Sequence, residues 1–186
     1  MYRAIALKAL RAGVGVDDAD GLARLARETR IDLTQGGRGM SLDGEDATAA
    51  IRTREVTTAS SRVSAHPAVR REMVKRQREM GERGGVVLDG RDIGTAVFPD
   101  ADVKFYVDAD PARRARRRAE ELAAAGFPFD LAAIEREIRD RDHADMTRPD
   151  SPLTRAADAV RIDSTDLTPE QVLEGMLAAV SAKRSA

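Results

Sequence analysis

The stretch Val86-Val-Leu-Asp-Gly-Arg-Asp-Ile-Gly-Thr95 decides how this chain is read. Three apolar residues between Gly85 and Asp89 have the make-up of a buried parallel strand. Directly after them, Asp89, Arg91 and Asp92 place two carboxylates and a guanidinium within four residues. Taken alone, that group is either a turn closed by an ion pair or the mouth of a site. Toward the C terminus the design recurs. Val103–Val107 predicts a second strand before Asp108, Pro111 opens an arginine-rich helix that ends at Gly126, and a charged helix covers about Leu131–Met146. Val160–Ile162 predicts a third strand, and Thr168-Pro-Glu170 opens a last helix through Val180. This alternation implies an α/β fold with a parallel sheet and right-handed crossovers. In such sheets the ligand lies outside the carboxyl ends of the strands.

Toward the N terminus the pattern is helical. Tyr2, Ile5, Ala6, Ala9 and Leu10 follow i, i+3, i+4, i+7, i+8 spacing, which predicts a helix that stops near Gly13. Asp17 or Asp18 caps a second helix carrying Leu22, Leu25 and Ala26. Ile31–Leu33, the turn Gln35-Gly-Gly-Arg-Gly39 and Met40-Ser-Leu42 predict an antiparallel hairpin; the glycines do not form a phosphate loop, because no Lys-Ser/Thr follows them. From Ile51 to Gly81 the chain is helical with a break at Pro67, and His66 reads as a boundary residue without an obvious partner.

Composition narrows the chemistry. At 186 residues the chain is long enough to bury a core. With no Cys and two His, thiolate metal sites, disulfides and cysteine nucleophiles are excluded. Lys+Arg 31 against Asp+Glu 32 leaves a formal charge of -1, so any anion site must be local. No apolar run approaches the roughly 18 residues of a membrane span. Of the basic residues, all but Lys8, Lys75, Lys104 and Lys183 are Arg. That bias suits phosphate or carboxylate recognition by guanidinium forks; a GC-rich genome gives the same bias.

Two further clusters lie on helices. Arg114, Arg117 and Arg118 share one face by i, i+3, i+4 spacing. Five arginines in Arg113–Arg118 outnumber the neighbouring Glu120 and Glu121, which predicts an external anion for this helix. Arg141, Asp145 and Arg148 fall at i, i+4, i+7 and project from one side, either as a surface ion pair or as a lid that brings guanidinium groups onto a phosphate. Together the clusters suggest phosphoryl transfer, which needs positioning and charge neutralisation and neither Cys nor His. The phosphate loop G-x-x-x-x-G-K-[S/T] is absent from these residues.

Met1-Tyr-Arg-Ala4, Glu45-Asp-Ala-Thr48 with Ile51-Arg-Thr53, Val86–Thr95 with Val97-Phe-Pro-Asp100, and Arg139-Asp-Arg-Asp142 resemble bacterial cytidylate kinase, with even spacing from residue 1 to about residue 180. The resemblance implies a P-loop nucleoside monophosphate kinase fold, with a parallel sheet flanked by helices on both faces. It implies one kinase domain over residues 1–186, with a CMP-binding insert at about 31–66 and a helical lid at about 126–150. It implies transfer of the ATP γ-phosphoryl group to CMP or dCMP. By matching position, Arg3, Arg91 and Arg148 are ligands of the CMP phosphate, and Ser61, Arg70 and Asp92 read cytosine. Arg141 and Asp145 lie near ribose and phosphates, with Asp145 an acceptor from a sugar hydroxyl. Arg91, Arg141 and Arg148 thereby serve catalysis, and Arg114 and Arg118 face the ATP phosphates. Asp89 resembles a carboxylate that holds Mg2+ through water. The implied partners are CMP or dCMP and ATP, not nucleic acid or membrane, with the chain a cytoplasmic monomer.

The family pattern places a strand, the phosphate loop and a helix before the segment matched by Met1-Tyr-Arg, a unit of roughly 30 or more residues. Without that strand, Val86–Leu88 is expected to lack a neighbour and to expose apolar surface. Either a late start assignment or a genuine truncation accounts for the pattern. Made as written, the chain is expected to show little turnover. A CMP-binding remnant without an ATP site is the second reading. A helical RNA-binding or scaffold protein is a weaker third, given few aromatic residues for stacking.

Overall fold

Helix α1 (Tyr2–Ala12) buries Ile5, Ala6 and Ala9, the stripe that its spacing predicts, and ends in Gly13 at φ 66°, where a left-handed cap costs glycine little. Asp18 caps α2 (Ala19–Glu28) by accepting from the Gly21 amide at 2.9 Å. The computed structural model describes residues 1–184, and the chain falls into two compact units, Met1–Val86 and Val87–Ala186.

In the first unit β1 (Ile31–Thr34) pairs antiparallel with β2 (Gly39–Leu42), from Ile31 opposite Leu42 to Thr34 opposite Gly39. The predicted hairpin is present, and it continues into a strand that sequence reasoning missed, β3 (Glu45–Asp46), paired with β2. Asp43 (φ 52°) and Gly44 (φ 91°) form the two-residue turn between them, the backbone that Asp-Gly favours in tight hairpins. The Glu45–Thr48 block closes this hairpin: the Thr48 hydroxyl accepts from the Met40 amide at 3.0 Å and donates to Asp46 at 2.6 Å. Helices α3 (Arg54–Val63) and α4 (Pro67–Gly81) follow, with Pro67 at the first turn of α4 as expected. Ile5, Leu22, Leu42, Val56, Val63, Val69 and Met73 form one continuous core. His66 does have a partner: its Nε2 lies 2.8 Å from the Val16 carbonyl oxygen, 50 residues earlier. Local sequence could not show a contact of that range.

In the second unit β4 (Phe105–Asp108) and β5 (Val160–Asp163) pair in parallel, Phe105 opposite Val160 and Asp108 opposite Asp163. Between them run α5 (Pro111–Ala124) and α6 (Leu131–Thr147), which pack on each other, and α7 (Pro169–Arg184) follows β5. Asp110 and Asp130 cap α5 and α6 by accepting from amides of their first turns. The architecture is mixed α/β with a small parallel sheet.

One predicted element is corrected. Val86–Leu88 is not a buried strand: it belongs to neither sheet, Val86 is 47% exposed and Val87 is 101% exposed. An extended apolar run becomes a strand only where a neighbour completes its ladder, and neither sheet provides one here.

Candidate phosphate-binding site

The loop Asp89-Gly-Arg-Asp92 ends in a five-residue π-type turn at Ile93–Val97. Its start is fixed by the Asp92 carbonyl, which accepts from the amides of Ala96 at 2.9 Å and Val97 at 3.2 Å. Gly90 is required by space: a Cβ there would sit 2.8 Å from Ile93 Cγ1. The turn leaves Arg91 exposed and holds Asp92 buried, at 5% exposure.

Helix α6 brings three residues to the same place. Asp145 Oδ2 lies 3.2 Å from Arg91 Nε and 3.9 Å from Arg141 Nε, and Arg148 donates to Asp145 Oδ1 at 3.4 Å. Arg148 also faces Asp92 at 3.8 Å. It stands just past the end of α6, where its Nε donates to the Ser151 carbonyl at 2.7 Å. Ser151 holds the left-handed φ of 50° in this turn. The Asp145 carbonyl accepts from the Leu153 amide at 2.8 Å, which ties the returning chain to the helix.

The sequence-predicted residues Arg91, Asp92, Arg141, Asp145 and Arg148 therefore converge within the second unit. Three guanidinium groups, of which Arg148 is buried and Arg91 and Arg141 are part-exposed, meet two buried carboxylates. Such an arrangement suits a tetrahedral oxyanion, whose oxygens accept from several guanidinium groups at once.

The arginine-rich helix differs from expectation. Arg114 binds Asp142 of α6 at 2.5 Å and donates from Nε to the Ala109 carbonyl at 3.0 Å. Arg117 donates to the Ser164 carbonyl at 2.5 Å and reaches those of Thr165 and Leu167, and Arg118 pairs with Glu121 at 2.7 Å. Partners from α6 and from the chain after β5 thus take up guanidinium groups predicted to want an external anion. Asp142 was missed as a functional neighbour. Its signal was its position three residues before Asp145, on the same side of α6.

Arg3, Ser61 and Arg70 belong to the first unit. Arg3 donates to the Ile51 carbonyl at 3.1 Å and to the Thr57 hydroxyl at 3.0 Å. Arg70, 2% exposed, donates to the Ser64 carbonyl at 3.1 Å and lies over the Tyr2 ring, 5.5 Å from its centroid. Ser61 is half-buried on α3.

Asp89 is exposed, and among the described residues no three His, Cys, Asp or Glu side chains gather as a metal cage. No helix of the described residues is long and apolar enough to cross a membrane.

The parallel β4–β5 pair, the Asp89–Asp92 loop and the convergent arginines define a mixed α/β protein with a cluster of guanidinium groups beside that loop. The chain matches the family model described as cytidylate kinase over residues 1–182. It is 49% identical to a cytidylate kinase of Pelotomaculum thermopropionicum, over 99% of this chain and 83% of that protein. It is 48% identical to a cytidylate kinase of Geobacillus kaustophilus, over 97% of this chain and 82% of the relative. With one from Solibacter usitatus it shares 47% identity, over 98% of this chain and 79% of the other. The chain belongs to the cytidylate kinase family, whose members are phosphotransferases.

Proposed function

We propose that this chain acts in the transfer of the γ-phosphoryl group of ATP to CMP or dCMP, giving CDP or dCDP and ADP. The observation that carries the reading is the convergence of Arg91, Arg141 and Arg148 on one buried carboxylate, with Asp92 beside them. Arg91 and Arg148 hold the CMP phosphate, and with Arg141 they neutralise charge on the transferred group. Asp92 reads the cytosine amine, and Asp145 accepts from a sugar hydroxyl. The roles implied for Arg3, Ser61 and Arg70 belong to the same proposal and are tested by substitution one at a time.

Arg114 and Arg118 face the ATP phosphates in this reading, and their present partners Asp142 and Glu121 give way to them. Mg2+ keeps several waters and takes one or two carboxylates together with substrate phosphates, so the exposed Asp89 fits as a single ligand. When bound, the ion supplies charge neutralisation at the ATP phosphates. We further assign residues 1–186 to one nucleoside monophosphate kinase domain of the P-loop type. About 31–66 form its CMP-binding insert and about 126–150 its lid. It acts as a monomer in the cytoplasm. The G-x-x-x-x-G-K-[S/T] loop is not among these residues, so binding is the first measurement and turnover the second.

Calorimetric titration of the 186-residue chain with CMP, cytidine and UMP tests the proposal. CMP is expected to bind more tightly than cytidine, through its phosphate, and more tightly than UMP, through its base. No CMP binding, or CMP no tighter than cytidine, contradicts it.

A further inference from the structure

We propose that Asp145 is an internal substitute for the substrate phosphate: before nucleotide binds, its carboxylate holds Arg91, Arg141 and Arg148 in the directions that an entering phosphate then takes over. The proposal rests on the phosphate-binding role given to these arginines above. It adds a function for Asp145 that precedes any contact with a sugar.

Three features lead to it. First, the carboxylate is the common neighbour of all three guanidinium groups, and its side chain is only 9% exposed. Guanidinium groups gathered without an anion would repel one another, most of all at the buried Arg148, where solvent screens poorly. One carboxylate between them lowers that repulsion and keeps the arginines in place.

Second, the contacts are loose. At 3.2, 3.4 and 3.9 Å they exceed the roughly 2.7–2.9 Å of a well-formed charge-assisted hydrogen bond. Two carboxylate oxygens are shared among three guanidinium groups. A phosphate monoester presents three acceptor oxygens and about -1.5 to -2 charge, a better match in both number and charge.

Third, the frame does not depend on the carboxylate. The Asp145 carbonyl is held by the Leu153 amide at 2.8 Å, and Arg148 is anchored to the Ser151 carbonyl at 2.7 Å. The carboxylate can release the arginines while the backbone around it stays put. Asp145 is therefore a positioning residue, whose cost to the protein is competition with the substrate phosphate.

The test uses inorganic phosphate, which has no sugar. Phosphate binding to the 186-residue chain and to Asp145→Asn is followed by 31P NMR, with CMP titrations alongside. Asparagine keeps the shape and removes the competing charge, so Asp145→Asn is expected to bind phosphate roughly tenfold more tightly. Unchanged or weaker phosphate binding by a folded Asp145→Asn chain overturns the proposal. A second measurement needs no substitution: the 13C carboxylate resonance of Asp145 is expected to shift as phosphate saturates the unsubstituted chain, and a stationary resonance overturns the proposal. If that chain binds neither phosphate nor CMP, the proposed function fails and this inference with it. If it binds both and Asp145→Asn gains nothing, this inference alone fails.

Discussion

In the first unit Ile5, Leu22 and Val63 are wholly withdrawn from solvent, whereas in the second Val107 and Val160, on the paired strands β4 and β5, are 48% and 44% exposed. Helix α7 sharpens the contrast, with Leu173 at 56% and Leu177 at 57% exposure. Parallel strands are ordinarily covered on both faces. The first unit is held mainly by apolar burial. The second relies more on capping carboxylates, guanidinium–carbonyl bonds such as those of Arg117, and the Arg–Asp cluster. In the first unit the apolar core is distinct from the proposed chemistry, apart from the buried Arg70 over Tyr2, whereas in the second the Arg–Asp cluster serves both.

The largest expected difference follows directly. Leu22→Ala, at a fully buried position, should cost about 2–5 kcal/mol, whereas Val87→Ala, at a fully exposed one, should stay within about 0.5 kcal/mol. Denaturant unfolding of both variants measures the two, and equal losses would break the contrast. Next comes Arg76, which donates to the carbonyls of Ala26 at 2.7 Å and Arg27 at 2.9 Å while pairing with Glu72 at 2.9 Å. Arg76→Ala uncaps the end of α2 and should cost about 1–3 kcal/mol in the same assay, with phosphate affinity in the second unit unchanged.

Gly90→Ala acts in the second unit. Its Cβ, 2.8 Å from Ile93 Cγ1, must displace the Ile93 side chain, which opens the turn that holds Arg91 and Asp92. A loss of about 1–3 kcal/mol together with weaker CMP binding is expected; lost stability with intact CMP binding would separate that turn from the site. The smallest effect concerns pH. The Lys8 ammonium, 2.6 Å from Asp43, holds that carboxyl below its ordinary value of 3.8. The pair therefore stabilises the β2–β3 turn above pH 3.8 and loses its contribution as pH falls through the lowered folded value. Acid unfolding curves of the unsubstituted chain and Lys8→Met should differ above that pH and converge below it.

Much of this was legible in sequence because the signals were local. The stripe of α1, the Asp18 cap, Pro67 and the glycine-rich turn each reported on neighbours within a few residues. The i, i+4, i+7 spacing of Arg141, Asp145 and Arg148 placed them on one side, and the structure adds Arg91 and Asp92 to them. What was not legible was long-range. Arg114 meets Asp142 across 28 residues, Arg117 meets Ser164 across 47, and His66 meets Val16 across 50. Val86–Leu88 failed for a related reason: its composition suits a strand, but pairing depends on a neighbour that composition does not specify.

The central claim is that the arginines around Asp145 bind the phosphate of CMP. Arg148→Lys keeps the charge and removes the guanidinium fork, so it isolates that geometry. Calorimetry with CMP and cytidine, on the unsubstituted chain and on this variant, tests the claim most directly. The account predicts roughly tenfold or greater weakening of CMP binding with cytidine binding unchanged, as a lost charge-assisted bond requires. Equal CMP affinities in the two proteins would contradict it.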